Sequence, residues 1–202
     1  YARLLILLGK TSRKLGHYDI GRNYLMEARD LLLSESTSGN DLILASQVLT
    51  ELAWIYFAQG ELEQARKLGT EGLEFAKEVD DLNEMANAEN LLGGVCYQSG
   101  NWQGAMHHTM RGMVFREQME YSWAVARSYS NLGILAYVIG HWPKAIDYFQ
   151  RSLLLRQEMG DVEGIAITHN NLGHPYRGQG KLELAETHYQ ESLQISELFG
   201  IS

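Results

Sequence analysis

The chain has 202 residues and a net charge of −8, a balance that argues against a whole-surface nucleic-acid binder. Hydrophobic residues make up 45% of it, ample for a core, while only two prolines and long runs of Ala, Leu, Glu, Gln and Arg point to an all-helical protein. A single cysteine, Cys96, excludes an internal disulfide framework and leans towards a reducing, cytoplasmic compartment; the longest apolar run, Leu4 to Leu8, is too short to span a bilayer.

Taken in order, the chain reads as five copies of one design. The first covers 1–33 and keeps Leu8, Gly9, Gly16, Tyr18, Gly21 and Ala28, followed by the insert Ser34 to Asn40. The second, 42–79, carries Leu52, Ala53, Gly60, Ala65 and Leu73, and the third, 82–119, carries Leu92, Gly93, Gly100, Ala105 and Met113. In the fourth and fifth, 122–159 and 162–199, Asn131/Asn171, Leu132/Leu172, Gly133/Gly173, Gly140/Gly180 and Ala145/Ala185 all keep one interval, 171 − 131 = 40. A fixed period of this size marks a solenoid. The chain opens on Tyr1 and starts and stops inside the pattern, so we expect a piece of a larger protein.

Each copy reads as a helix, a tight turn and a second helix. In the fourth, Val125, Tyr129, Leu132, Leu135, Ala136 and Ile139 recur at three- and four-residue steps, the spacing of one helix face. Gly140 is placed to end that helix in the left-handed conformation, and Pro143 suits the first turn of the next. Gly160-Asp161 then supplies a stop and an N-cap, with equivalent turns at Gly60-Glu61, Asp80-Asp81, Gly100-Asn101 and Gly180-Lys181. Small residues recur where backbones must approach closely, so Ala65, Ala105, Ala145 and Ala185 are expected to be buried. The expectation is a single all-α domain, a right-handed α-solenoid of about five helix-turn-helix repeats.

These residues also carry a family resemblance. Leu172, Gly173 and Tyr176, followed by Ala185 and Tyr189, resemble the tetratricopeptide repeat, as do Leu132, Gly133, Ala145 and Phe149. The interval is longer than the usual 34 residues, which is similar to the longer-period variety of Pins/LGN-type adaptors and of large bacterial regulators of the maltose-activator type. Glu89 and His169 depart from the pattern, standing where an aromatic or leucine usually opens the motif, and Gly69 stands in place of a second-helix aromatic.

The resemblance implies a groove, lined by the first helix of each pair, for an extended peptide or a helix of a partner. Carried onto this sequence, its positions include Arg3, Lys10, Arg13, Trp54, Phe57, Asn87, Asn90, Tyr97, Arg127, Ser130, Tyr137, Asn170, His174 and Arg177. Amides there suit a peptide backbone, and aromatics suit hot spots. The cations predict attraction of an acidic segment or a C-terminal carboxylate. The alternative is a ligand-sensing or self-assembly segment of a larger multidomain bacterial regulator, with self-association through uncapped ends.

Chemistry is sparse by comparison. No nucleophile elbow, phosphate-cradling loop or metal-ligand spacing occurs, so neither enzymatic activity nor a cofactor is expected, and no direct contact with nucleic acid or membrane. His107-His108 are adjacent and His169 and His174 are five apart, poor spacings for sharing a metal on one helix, so the histidines read as surface or packing residues. Cys96 reads as a buried, inert thiol. Pro175 falls well inside a helix, where it removes a backbone bond to Asn171, and the expectation is a kinked or frayed stretch from His174 to Gln179.

Overall fold

Left-handed turn residues set the rhythm of the structure, a computed structural model that describes residues 1–33 and 39–200. Gly140 ends its helix at φ +79°, with the N–H of His141 reaching back 2.8 Å to the carbonyl of Ala136. A Cβ there would meet no neighbour, so backbone conformation alone selects glycine. At two equivalent turns the residue is instead Asp80 or Glu120, at φ 53° and 54°. Aspartate visits that region with some ease because its short side chain can bond locally; glutamate has no such help.

Ten α-helices and no strand are found among the described residues. They are α1 (Ala2–Lys14), α2 (Tyr18–Leu33), α3 (Gly39–Ala58), α4 (Leu62–Glu78), α5 (Leu82–Gln98), α6 (Trp102–Gln118), α7 (Ser122–Val138), α8 (Trp142–Met159), α9 (Val162–Gly178) and α10 (Leu182–Phe199). They pair as the sequence predicts, giving an all-α solenoid of helical hairpins. One boundary moves: α3 begins at Gly39 rather than near 42, so the end of the insert is already helical. Ser34–Ser38, the rest of that insert, and Ile201 lie outside the described residues.

The caps explain the starts. Asp81 accepts from the backbone N–H of Glu84 at 2.9 Å and Asp161 from that of Gly164 at 3.0 Å, each satisfying an orphan donor of the first turn. Pro143 sits in the first turn of α8 as predicted. Pro175 does not fray α9. The helix continues to Gly178, and its last turn is closed by Gln179 N–H to Pro175 O at 3.0 Å and Lys181 N–H to Tyr176 O at 3.0 Å. The proline deletes one donor, while the bonds beyond it hold the turn.

The chain falls into two compact units, 1–115 and 116–202. In unit 1, α1 packs on α2 and α3, and α3 on α4 and α5. One core gathers Leu25, Ala28, Val48, Leu52 and Ile55; further along, Leu73, Ala76, Met85, Ala88 and Leu92 form another, flanked by Phe115. Asp41–Ala58 of α3 is the one stretch among the described residues long and apolar enough to cross a membrane, although Ser46, Gln47, Thr50 and Glu51 interrupt its apolar residues. Its Val48, Leu49, Leu52, Ala53 and Ile55 are all buried in unit 1.

In unit 2, α7 packs on α8 and α9, and α9 on α8 and α10. Ala145 and Ala185 are buried there, and Ala65 and Ala105 are buried in unit 1, all four as expected. The small residues work by size exchange. A Cβ on Gly133 would come within 2.5 Å of the ring of Phe149, and one on Gly173 within 2.3 Å of Tyr189. Where the second helix has Gly69 instead of an aromatic, Leu91 moves into the space, 2.7 Å from where a Cβ would be.

Candidate peptide-docking faces

The first helices of successive hairpins touch within each unit, α1 to α3 to α5 in one and α7 to α9 in the other, so the predicted residues come from neighbouring helices. Their chemistry differs between the units.

In unit 1 two of the three predicted cations are already engaged. Arg13 donates through Nε to Glu51 at 2.8 Å, and Lys10 lies 3.6 Å from the same carboxylate. Arg13 also sits 5.8 Å above the ring of Trp54, which meets Phe57 edge-on at 5.4 Å. Glu51 offsets the positive charge expected here. It occupies a helix position beside the predicted face rather than on it, so the register of that face did not reveal it. Arg3 is exposed, with no ion pair found among the described residues.

The amides of α3 and α5 converge on a second carboxylate. Gln47 and Asn83 donate to Oε1 of Glu84 at 3.1 and 3.0 Å, and Asn87 donates to Oε2 at 3.4 Å. Burial pushes the Glu84 carboxyl up from its ordinary value, and the amide donors pull against that shift. Asn87 is thus committed to a neighbour. Asn90 is half-buried, and Tyr97 is 41% exposed with its ring edge-on to Trp102 at 5.4 Å.

Unit 2 presents the more open face. Arg127 is exposed and lies 4.8 Å over the ring of Trp123, one turn earlier on α7. Trp123 is 48% exposed and was missed by a register starting at Arg127; its place four residues before that arginine was the available signal. Asn170 and Arg177 of α9 are exposed, as are Ile134 of α7 and Ile167 of α9. No carboxylate pairs with Arg127 or Arg177 among the described residues. Although the Arg127 side chain as a whole is exposed, partial desolvation of its guanidinium, reinforced by the nearby Arg156, lowers its pKa from the ordinary value. Arg116 is buried beneath, its guanidinium donating to Ser128 Oγ at 2.9 Å, with burial and then Arg127 bringing its pKa down to about 10.

Ser130 is a correction. It is 6% exposed, with its hydroxyl 2.8 Å from that of Ser152, which in turn donates to the carbonyl of Ala126 at 2.8 Å. The short side chain lets α7 and α8 approach, and both hydroxyls are spent inside that contact. His174 is half-buried, its Nδ1 lying 3.1 Å from Tyr189 Oη and its ring 5.9 Å from that of Tyr137.

Beside His174, the histidine of the altered motif has found a partner. His169 Nδ1 lies 3.0 Å from His188 Nδ1, joining α9 to α10, and His188 stacks on Tyr176 with centroids 5.2 Å apart. Burial lowers the pKa of both, His169 lowers that of His188 further, and Glu191 acts in the opposite sense on each. Burial and then Arg177 lower that of His174. The unfolded chain therefore binds more protons than the folded one just below the ordinary histidine value of 6.5. Stability is held above pH 6.5 and lost as pH falls through the folded values. Thermal melts at pH 7.5 and 5.5 are expected to show an acid loss that shrinks in His169→Leu/His188→Leu.

Recesses without any predicted site residue are found elsewhere among the described residues, and two of them show the range of size. One of about 430 Å³ in unit 1 is lined by Tyr56, Lys67 and Glu71 among others, and one of about 280 Å³ in unit 2 by Tyr121, Tyr129 and Leu155. Neither includes a predicted site residue. Cys96 is buried and free, as expected.

Helical hairpins with a small residue at each crossing define a helical-repeat protein. Two family models described as tetratricopeptide repeat match the sequence, over residues 124–197 and 47–79. The chain belongs to the tetratricopeptide repeat family. No curated protein sequence matches it. Among solved structures, it is similar to BtubC (BKLC) from P. vanneervenii, with a TM-score of 0.86 and 20% identity over 98% of this chain and 80% of that one. It is also similar to the TPR-like repeats of a putative kinesin light chain from Podosopora anserina (TM-score 0.81, 14% identity, 99% and 97% covered). A third is a Rap protein complexed with Competence and Sporulation Factor (TM-score 0.74, 16% identity); 97% of this chain is covered but it spans about half, 54%, of the Rap protein. At these identities the likeness is one of fold.

Proposed function

We propose that the chain is a non-enzymatic protein-interaction module, acting in the cytoplasm, and that the α7–α9 face of unit 2 takes an acidic segment of a partner protein. One observation carries the choice of face and of charge: Lys10 and Arg13 of unit 1 are paired with Glu51, whereas Arg127 and Arg177 have no carboxylate partner among the described residues. A partner's acidic side chains or C-terminal carboxylate would supply the missing counter-charge, with Trp123, Ile134 and Ile167 giving apolar contact and Asn170 bonding the segment's backbone. The similar Rap protein, of which this chain spans about half, is itself complexed with Competence and Sporulation Factor.

The test is selection of random dodecapeptides on the immobilised chain, followed by anisotropy titration of the labelled winners. Acidic peptides are expected, with affinity falling as salt rises. Arg127→Ala and Arg177→Ala should each weaken binding about tenfold, a loss typical of a charge-assisted contact, while Lys10→Ala changes little. Winners without acidic residues, or equal binding by all three variants, would refute the choice of face.

A further inference from the structure

Repeat register brings an unused site into view. Glu89 and His108 are 19 residues apart and bonded across a hairpin; adding two periods of 40 gives His169 and His188, again 19 apart and again bonded. The same two positions are Leu49 and Leu68 in the second repeat, and Tyr129 and Tyr148, with rings 6.3 Å apart, in the fourth. In the third, fourth and fifth repeats this pair of positions is therefore one side-chain contact, made with different chemistry in each. Only in the fifth does it hold two imidazoles.

We infer that His169 and His188 form a two-histidine chelate for a divalent transition metal ion of borderline softness such as zinc, with water completing the coordination. Two imidazole nitrogens each about 2.0–2.1 Å from a tetrahedral metal lie about 3.3 Å apart. The Nδ1 atoms are 3.0 Å apart, so the pair has to open by about 0.3 Å and each ring to turn by about 35°, which swings both lone pairs from facing each other onto one point beside the N···N line. One ring now donates Nδ1–H to the other; it binds metal after moving that proton to its own Nε2, so no proton is lost overall. Tyr176, stacked at an interplanar angle of 8°, holds the plane of His188, and Glu191 lies within electrostatic reach of both rings, favouring a cation. Both histidines are half-buried, which leaves an approach for the ion.

The equivalent Glu89–His108 pair is not such a site. Its carboxylate is fully buried and is already shared with Arg111 at 3.1 Å. Among the described residues no group of three His, Cys, Asp or Glu gathers to hold a metal, so affinity rests on two protein ligands and is expected to be weaker than that of a three- or four-ligand zinc site. Peptide docking on α7–α9 is a separate matter and neither outcome decides the other.

The experiment is calorimetric titration of the untagged chain with zinc chloride at pH 7.5, with melts in parallel. One equivalent is expected to bind and to raise Tm by a few degrees at saturation. Both effects should vanish in His169→Leu and in His188→Leu, and persist in His107→Ala and His174→Leu. The double variant His169→Leu/His188→Leu copies the Leu49/Leu68 pair, so a normal helical spectrum would show that loss of zinc is not loss of fold. No uptake by the natural chain, or uptake that survives the double variant, overturns the inference.

Discussion

Replacing His108 by leucine is expected to destabilise the protein by about 2–3 kcal/mol, because it strands a buried charge. Glu89 has no exposed side-chain surface; His108 Nδ1 lies 2.7 Å from its Oε2, while Arg111 Nε lies 3.1 Å from its Oε1 without making a hydrogen bond to it. Arg111 is 40% exposed, so it cannot by itself replace the solvation the carboxylate gave up. Converting both positions, Glu89→Leu/His108→Leu, should recover most of the loss. The second repeat already uses Leu49 and Leu68 at these positions, and Arg111 can turn to solvent. Urea unfolding of the two singles and the double measures the coupling. A neutral His108→Leu, or a double variant worse than either single, would show that the Glu89–His108 contact does not hold this hairpin.

A second large effect is expected at Gly133. Alanine normally improves a helix by about 1 kcal/mol over glycine, yet here its Cβ would lie 2.5 and 2.6 Å from two carbons of the Phe149 ring. Phe149 is among the largest fully enclosed side chains and has nowhere to withdraw. Gly133→Ala should therefore cost about 1–3 kcal/mol, and Gly133→Val about 3 kcal/mol. In a Phe149→Ala background the sign should reverse, because the obstacle is gone and helix propensity remains. Gly173→Ala is the control: its obstacle, Tyr189, is only half-buried and can swing outwards, so the cost should be under about 1 kcal/mol. Equal costs at the two glycines would contradict this reading of the hairpin contact.

These cases show what was legible in the chain. Gly133, Ala145 and Gly140 each have one job that only a small or φ-positive residue performs, so their recurrence revealed the hairpins directly. Asp80 and Glu120 make the same turn without glycine; the first was read as a turn and the second was not. The face was legible as a list of positions but not as a balance of charge. Glu51 cancels Lys10 and Arg13 from an adjacent position, and Ser130 turns inward to Ser152. The histidine pair was invisible to a search along single helices, since His169 and His188 meet only after the chain has turned back.

The docking proposal is tested most directly through Trp123. A variant with Trp54, Trp102 and Trp142 changed to phenylalanine leaves it as the sole indole, half exposed beside Arg127. Titration with a selected acidic peptide should shift its emission to the blue and shield it from iodide, saturating together with the anisotropy of the labelled peptide. Binding that saturates while Trp123 keeps its emission and its quenching would place the partner elsewhere and contradict the account.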